Sequence, residues 1–170
     1  MAQTVWTILA LIRWADERFS KEGIASPRLD AEVLLAETLG LDRVGLYTHF
    51  DQPLQTDELA QFKQRILRRL RREPVAYILG RREFWSLPLR VTPDVLIPRP
   101  ETETLVAEAL NVLEPAEGED LRLLEIGTGS GAISIALAKE LPAAKVVATD
   151  LSPKALAVAE ENALQSGVRE

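Results

Sequence analysis

The sequence contains no cysteine and a single histidine, His49. A disulfide frame, a catalytic thiol and a structural zinc site are thereby excluded, because zinc needs several thiolate or imidazole ligands. Metal chemistry is not expected, and His49, alone near a loop, is given no catalytic role. Long hydrophobic runs are also missing: Arg, Glu or Asp breaks every apolar stretch well before the ~18 residues of a membrane helix. The N-terminus lacks the basic start and small-residue cleavage site of a secretory signal, so a cytoplasmic protein without membrane contact is expected. There is no internal repeat and no low-complexity segment.

What is present suffices for a core: 46% of the 170 residues are apolar. The net charge of −6 is unevenly spread, with 15 Lys and Arg against 13 Asp and Glu over 1–100, but 5 against 13 over 101–170. Such asymmetry points to two modules. The acidic second part argues against gripping nucleic-acid phosphates by bulk charge, so no direct nucleic-acid partner is expected.

Hydrophobic spacing predicts helices over 5–19, closed by Gly23, and from Ser26-Pro27 to Gly40, the latter burying Leu29, Val33, Leu34 and Leu39. A short helix through Val44 and Tyr47 follows, then one opened by Thr56, Asp57 and Glu58 and ended by Pro74, with Leu59, Phe62, Ile66 and Leu70 inside. Residues 1–75 thus read as a helical bundle. Two short strands over 83–85 and 87–91 and the Pro-punctuated run to Pro100 make 76–100 a hairpin and linker between modules. Pro100 opens a helix with Leu105, Val106, Ala109, Leu110 and Leu113 inward, and 115–120 is a loop. Strand 121–126, helix 130–141, strand 145–149 and helix 154–165 then form a βαβα unit of a parallel sheet. The fold class expected is α plus α/β.

The candidate site is the run Glu125-Ile126-Gly127-Thr128-Gly129-Ser130-Gly131-Ala132, which leaves a strand and enters a helix. Backbone passes close under a ligand at such a turn, and side chains at the glycines would block it. The spelling also satisfies G-x-G-x-x-A, so alone it does not separate a dinucleotide site from a methyltransferase. Glu125 would repel a pyrophosphate, whereas S-adenosylmethionine has no phosphate and carries an ammonium and a sulfonium. Asp150 ends the next strand 19 residues after Gly131, where an acid accepts hydrogen bonds from ribose hydroxyls in either ligand class. The bland readings are a turn that only packs helix on strand, a solvated strand-end charge at Glu125 and a helix-capping Asp150. Their co-occurrence at these offsets favours cofactor binding; Ser152 is read as a cap.

The runs Arg82-Glu83-Phe84-Trp85-Ser86-Leu87-Pro88-Leu89 and Leu96-Ile97-Pro98-Arg99-Pro100-Glu101-Thr102-Glu103, followed by the 125–132 turn, closely resemble the protein-(glutamine-N5) methyltransferases of peptide chain release factors, the HemK/PrmC family. The resemblance covers essentially the whole chain. It implies methyl transfer from S-adenosylmethionine to the glutamine of a release factor's Gly-Gly-Gln loop, giving S-adenosylhomocysteine. By this likeness 1–75 is the substrate-recognition domain and 101–170 a partial class I, Rossmann-like methyltransferase domain. Gly127, Thr128, Gly129, Ser130 and Gly131 would line the donor, Asp150 would take its ribose hydroxyls, and 98–102 would lie beside it. The family's Asn-Pro-Pro-Tyr motif is absent; the only asparagines, Asn111 and Asn162, fall in predicted helices with no Pro after them. No catalytic residue is therefore carried over, and the chain is expected to be a truncated N-terminal portion, inactive alone, weak at best toward the donor, and open to self-association.

Arg65, Arg68, Arg69, Arg71 and Arg72, with Arg81 and Arg82, form the one basic cluster, read as a solvated helix face rather than a docking site for a release factor or the ribosome. Phe84 is expected to pack, while Trp85 either packs the joint or borders a substrate channel. Rival functions are N-methylation of exocyclic amino groups of DNA or RNA bases, an NAD-dependent dehydrogenase disfavoured by Glu125, and a helical module that only binds a partner.

Overall fold

The computed structural model describes residues 5–113 and 121–168, and the chain divides into two compact units, Met1–Leu79 and Gly80–Glu170. The loop expected over 115–120 lies outside the described residues.

The first unit is helical: α1 (Ile8–Lys21), α2 (Pro27–Leu39), α3 (Arg43–Thr48), α4 (Thr56–Leu70) and α5 (Val75–Leu79). Local chemistry sets the ends. Thr7 Oγ1 accepts from Ala10 N at 3.3 Å to start α1, and Asp42 Oδ1 accepts from Gly45 N at 2.6 Å to start α3. Glu58 reaches back to the Gln55 N–H at 2.7 Å at the head of α4. Gly40, left-handed at φ 64°, closes α2. α4 ends at Leu70, where the chain turns through Arg72, left-handed at φ 67°, ahead of the expected stop at Pro74; Pro74 instead begins a further turn of helix, its carbonyl accepting from Ile78 N at 3.1 Å, so α5 was not foreseen. Ile8, Ile12, Phe19, Leu34, Leu35, Leu46, Phe62, Ile66 and Ile78 form the core. Leu29, expected inside, is exposed; α2 instead turns Glu32 inward.

Four arginines of the basic cluster have partners within the unit, while Arg71, Arg81 and Arg82 are exposed. Arg65 donates to Thr38 Oγ1 at 2.6 Å, Arg69 pairs with Asp30 at 2.7 Å, and Arg68 pairs with Glu73 at 2.5 Å. Arg72 donates to the carbonyls of Glu22 and Gly23. Arg65, Arg69 and Arg72 thus fasten α4 and its end to α2 and to the α1–α2 turn, and Arg68 ties the end of α4 to Glu73.

The second unit holds an antiparallel hairpin, β1 (Arg81–Phe84) and β2 (Leu87–Arg90), then a 3-10 turn at Pro100–Thr102, α6 (Glu103–Val112), β3 (Arg122–Ile126), α7 (Ala132–Glu140), β4 (Lys145–Thr149) and α8 (Pro153–Gln165). β3 and β4 pair in parallel, with Leu124 opposite Val147 and Ile126 opposite Thr149. Phe84 and Leu89 join Val106, Ile135, Ala136 and Leu137 in one core. The hairpin, expected to be a joint, therefore packs within the second unit. Leu105, expected inward on α6, is exposed, while Val106 is fully buried.

Candidate functional site

Residues 127–131 carry the chain from β3 into α7, and Gly127, Gly129 and Gly131 all have positive φ, at 80°, 56° and 82°. Glycine meets that demand without the penalty a side chain would bring. The three differ in surroundings. A Cβ on Gly127 or Gly129 would meet nothing within 4 Å, whereas one on Gly131 would lie 2.9 Å from Ile135 Cδ1 and 3.2 Å from Ala159 Cβ. Gly131 thus serves the close packing of α7 on α8, and the other two leave open space above the turn.

The turn is pinned to β4: Gly127 N and Thr128 N donate to the Thr149 carbonyl at 2.8 and 2.9 Å, and Gly131 N donates to the Thr128 carbonyl at 2.9 Å. Asp150 bridges it from the side, Oδ2 accepting from Gly129 N and Oδ1 from Ser152 N, each at 2.9 Å. The amides of Ser152 and Gly129 hold the Asp150 carboxyl below its ordinary value, against a smaller opposing push from burial, so it is ionised at neutral pH. Ser152 caps α8, its hydroxyl accepting from Ala155 N at 3.3 Å.

Glu125 lies on the helix-facing side of β3. Its Oε2 accepts from Thr128 Oγ1 at 2.7 Å, from Ser134 N at 3.2 Å and from the Ser134 hydroxyl. Ser134 N is an amide of the first turn of α7, the positive end of that helix. A pyrophosphate bound as in a dinucleotide fold would occupy this helix N-terminus. In this chain a carboxylate of the protein already sits there.

Leu96, Ile97, Pro98, Arg99 and Thr102 line, with Glu125, Gly127, Thr128, Gly129 and Ser130, one cavity of about 140 Å³. The structure therefore brings the expected site residues Glu125 and Gly127 to Ser130 together with the 98–102 segment, with Asp150 joined through Gly129. Trp85 is elsewhere: its backbone N–H donates to Glu103 at 2.9 Å and its indole N–H to Glu140 at 2.7 Å, at the end of α7 opposite the turn. It packs rather than bordering this cavity. Sequence spacing missed Ser134, because a serine inside a helix pattern carries no mark of a partner nine residues back. Among the described residues no group of three or more His, Cys, Asp or Glu is arranged to hold a metal ion, and no helix is long and apolar enough to cross a membrane.

Residues 10–80 match the family described as the PrmC N-terminal domain, and residues 102–170 match the ribosomal protein L11 methyltransferase (PrmA) family. A release factor glutamine methyltransferase of Geobacter sulfurreducens is 47% identical over 165 residues, covering 97% of this chain and 57% of the relative. Namesakes in Vibrio cholerae and Rhodopirellula baltica are 48% and 45% identical, covering 95% and 94% of this chain and 56% and 54% of their own lengths. The chain spans about half the length of the curated relatives it matches.

Proposed function

We propose a function from one premise: the chain belongs to the protein-(glutamine-N5) methyltransferase family, to which its release factor glutamine methyltransferase relatives also belong. On this reading the whole protein moves a methyl group from S-adenosylmethionine to the side-chain amide nitrogen of the glutamine in a release factor's Gly-Gly-Gln loop, leaving S-adenosylhomocysteine. Residues 1–75 would recognise the release factor, and the βαβα portion would begin a class I, Rossmann-like methyltransferase sheet. The match of 102–170 to a methyltransferase family supports methyl transfer, and the match over 10–80 with the relatives' names favours the release factor as acceptor. Base methylation and a pure binding module gain nothing from the comparisons.

The observation that carries the reading is the lodging of Glu125 at the N-terminus of α7. An anion there disfavours a phosphate and favours a ligand that is cationic and phosphate-free. S-adenosylmethionine, when bound, supplies a methyl group on a positively charged sulfur. Gly127 and Gly129 leave room for it, Thr128 and Ser130 shape the turn, and Gly131 keeps α7 against α8. The ionised Asp150 would accept hydrogen bonds from the ribose hydroxyls while holding the Gly129 amide. The sequence has no Asn-Pro-Pro-Tyr, and no residue of this chain is assigned to the acceptor amide.

The test is donor titration and labelled-methyl transfer with the whole protein. Saturable S-adenosylmethionine binding, with label arriving on the Gly-Gly-Gln glutamine, is expected. Asp150→Asn should weaken donor binding about tenfold, the worth of one charge-assisted hydrogen bond. Binding of NAD in preference to the methyl donor would overturn the reading.

A further inference from the structure

Asn162, within α8, has 1% of its surface exposed, and both ends of its amide are in use. Oδ1 accepts from the backbone N–H of Arg90 at 2.7 Å. Nδ2 donates to the Arg90 carbonyl at 2.9 Å and to the Ser130 carbonyl at 2.8 Å. Arg90 closes β2, and Ser130 lies inside the glycine-rich turn, so one side chain joins hairpin, helix and turn. Only a primary amide of this length has one acceptor and two donors to give. Aspartate would keep the acceptor and lose both donors, and leucine would lose all three.

The peptide that Asn162 holds runs from Ser130 to Gly131, between Gly129 and Gly131 at φ 56° and 82°. Glycine backbone loses more freedom on ordering than any other, so a turn built of it needs external anchors to stay in one shape. Asp150 anchors the amide side at Gly129; Asn162 anchors the carbonyl side at Ser130. Resting on the reading of this turn as the methyl-donor site, we propose that Asn162 is a positioning residue for donor binding, one that pre-orders the turn by fixing the Ser130 carbonyl. Without it the ordering cost falls on the donor when it binds, which lowers affinity and leaves the chemical step alone.

The experiment is steady-state kinetics and S-adenosylhomocysteine calorimetry on the whole protein carrying Asn162→Ala or Asn162→Ser. The donor KM and the S-adenosylhomocysteine Kd should rise about tenfold, with kcat at saturating donor and the KM for release factor little changed. Glu161→Gln is the control. It removes the charge of the exposed 2.6 Å ion pair with Arg90, beside the same strand end, keeps an oxygen for the 3.3 Å contact from Gln165, and should leave the donor KM at the wild-type value. A purely structural role would lower the active fraction and Tm and leave the donor KM unmoved. Should the alanine variant fail to fold, the serine variant, which keeps a small polar group in the buried site without setting a charge against the Arg90 and Ser130 carbonyls, carries the test. Folded variants with wild-type donor KM and Kd would overturn the inference. Absence of saturable donor binding by the wild-type protein would instead bring down the donor-site reading beneath it.

Discussion

Glu32, with 1% of its surface exposed, is a carboxylate inside the helical unit surrounded by donors. Arg28 Nε lies 3.0 Å from Oε1, Arg43 Nη2 lies 2.7 Å from Oε2, and the Tyr47 hydroxyl donates to Oε1. Burial pushes its pKa up, but the hydrogen bonds from Tyr47, Arg43 and Arg28 together outweigh this and hold it below the ordinary carboxylate value. A depressed folded pKa contributes stability that is complete above the unfolded value of about 4.3 and disappears as pH falls through the folded value. Glu32→Gln should therefore cost about 2 kcal/mol at pH 7, less than for a fully enclosed pair because both arginines can turn to water. Urea unfolding at a series of pH values should show the gap from wild type closing below about pH 4. At the same scale, Gly131→Ala and Gly129→Ala should part company. The first forces a Cβ to 2.9 Å from Ile135 and 3.2 Å from Ala159 and should lower Tm; the second meets only the positive-φ penalty, about 1 kcal/mol, and should lose mainly donor affinity. Unfolding and donor titration on the same two variants would expose any failure of this split. The sequence spelled out the glycines and both acids of the candidate site, since these rest on residue type and offset. It was silent on Ser134 and Asn162, whose parts depend on which way a helix faces after it packs.

Among the elements, the hairpin joins β1 to β2 through Trp85 and Ser86, both left-handed at φ 52° and 57°, where a two-residue hairpin loop wants Asn or Gly. The turn is held from outside by Glu103 on the Trp85 N–H and Glu140 on its indole. Ser86→Gly should relax one strained position and stabilise the chain by about 1 kcal/mol, visible as a higher Tm. An unchanged or lower Tm would mean that the Ser86 conformation carries no penalty in this setting. Helices α1, α2 and α4 were legible because their apolar residues repeat at helical spacing between recognisable caps. The parallel pair was legible because a glycine-rich turn separates strand from helix. α5 was hidden by Pro74, which reads as the end of one helix and in the structure begins the next. Leu29 and Leu105 were misassigned because apolar spacing marks a stripe on a helix and not how far packing covers it, and both are exposed.

At the scale of the whole chain, the described residues cover the two-stranded parallel sheet on one face only. Leu123 on the inner side packs into the core, while Leu124, Ile126 and Val147 on the outer side are 65%, 83% and 57% exposed. Parallel strands are ordinarily buried on both faces, and an apolar strip with adjoining sheet edges favours pairing between copies. The acidic charge of 101–170 opposes that pairing, so low salt should favour the monomer and added salt the associated form. Residues 1–170 are therefore expected to sediment above 18.8 kDa and to bind a hydrophobic dye. The double variant Leu124→Thr, Val147→Thr keeps β-forming side chains at two paired positions and removes apolar surface, and should shift the population toward monomer with less dye bound. Sedimentation velocity at two salt concentrations, with and without the double substitution, is the measurement. A monomer at both salts that ignores the dye would mean that Leu124 and Val147 are covered in solution by something other than a second copy.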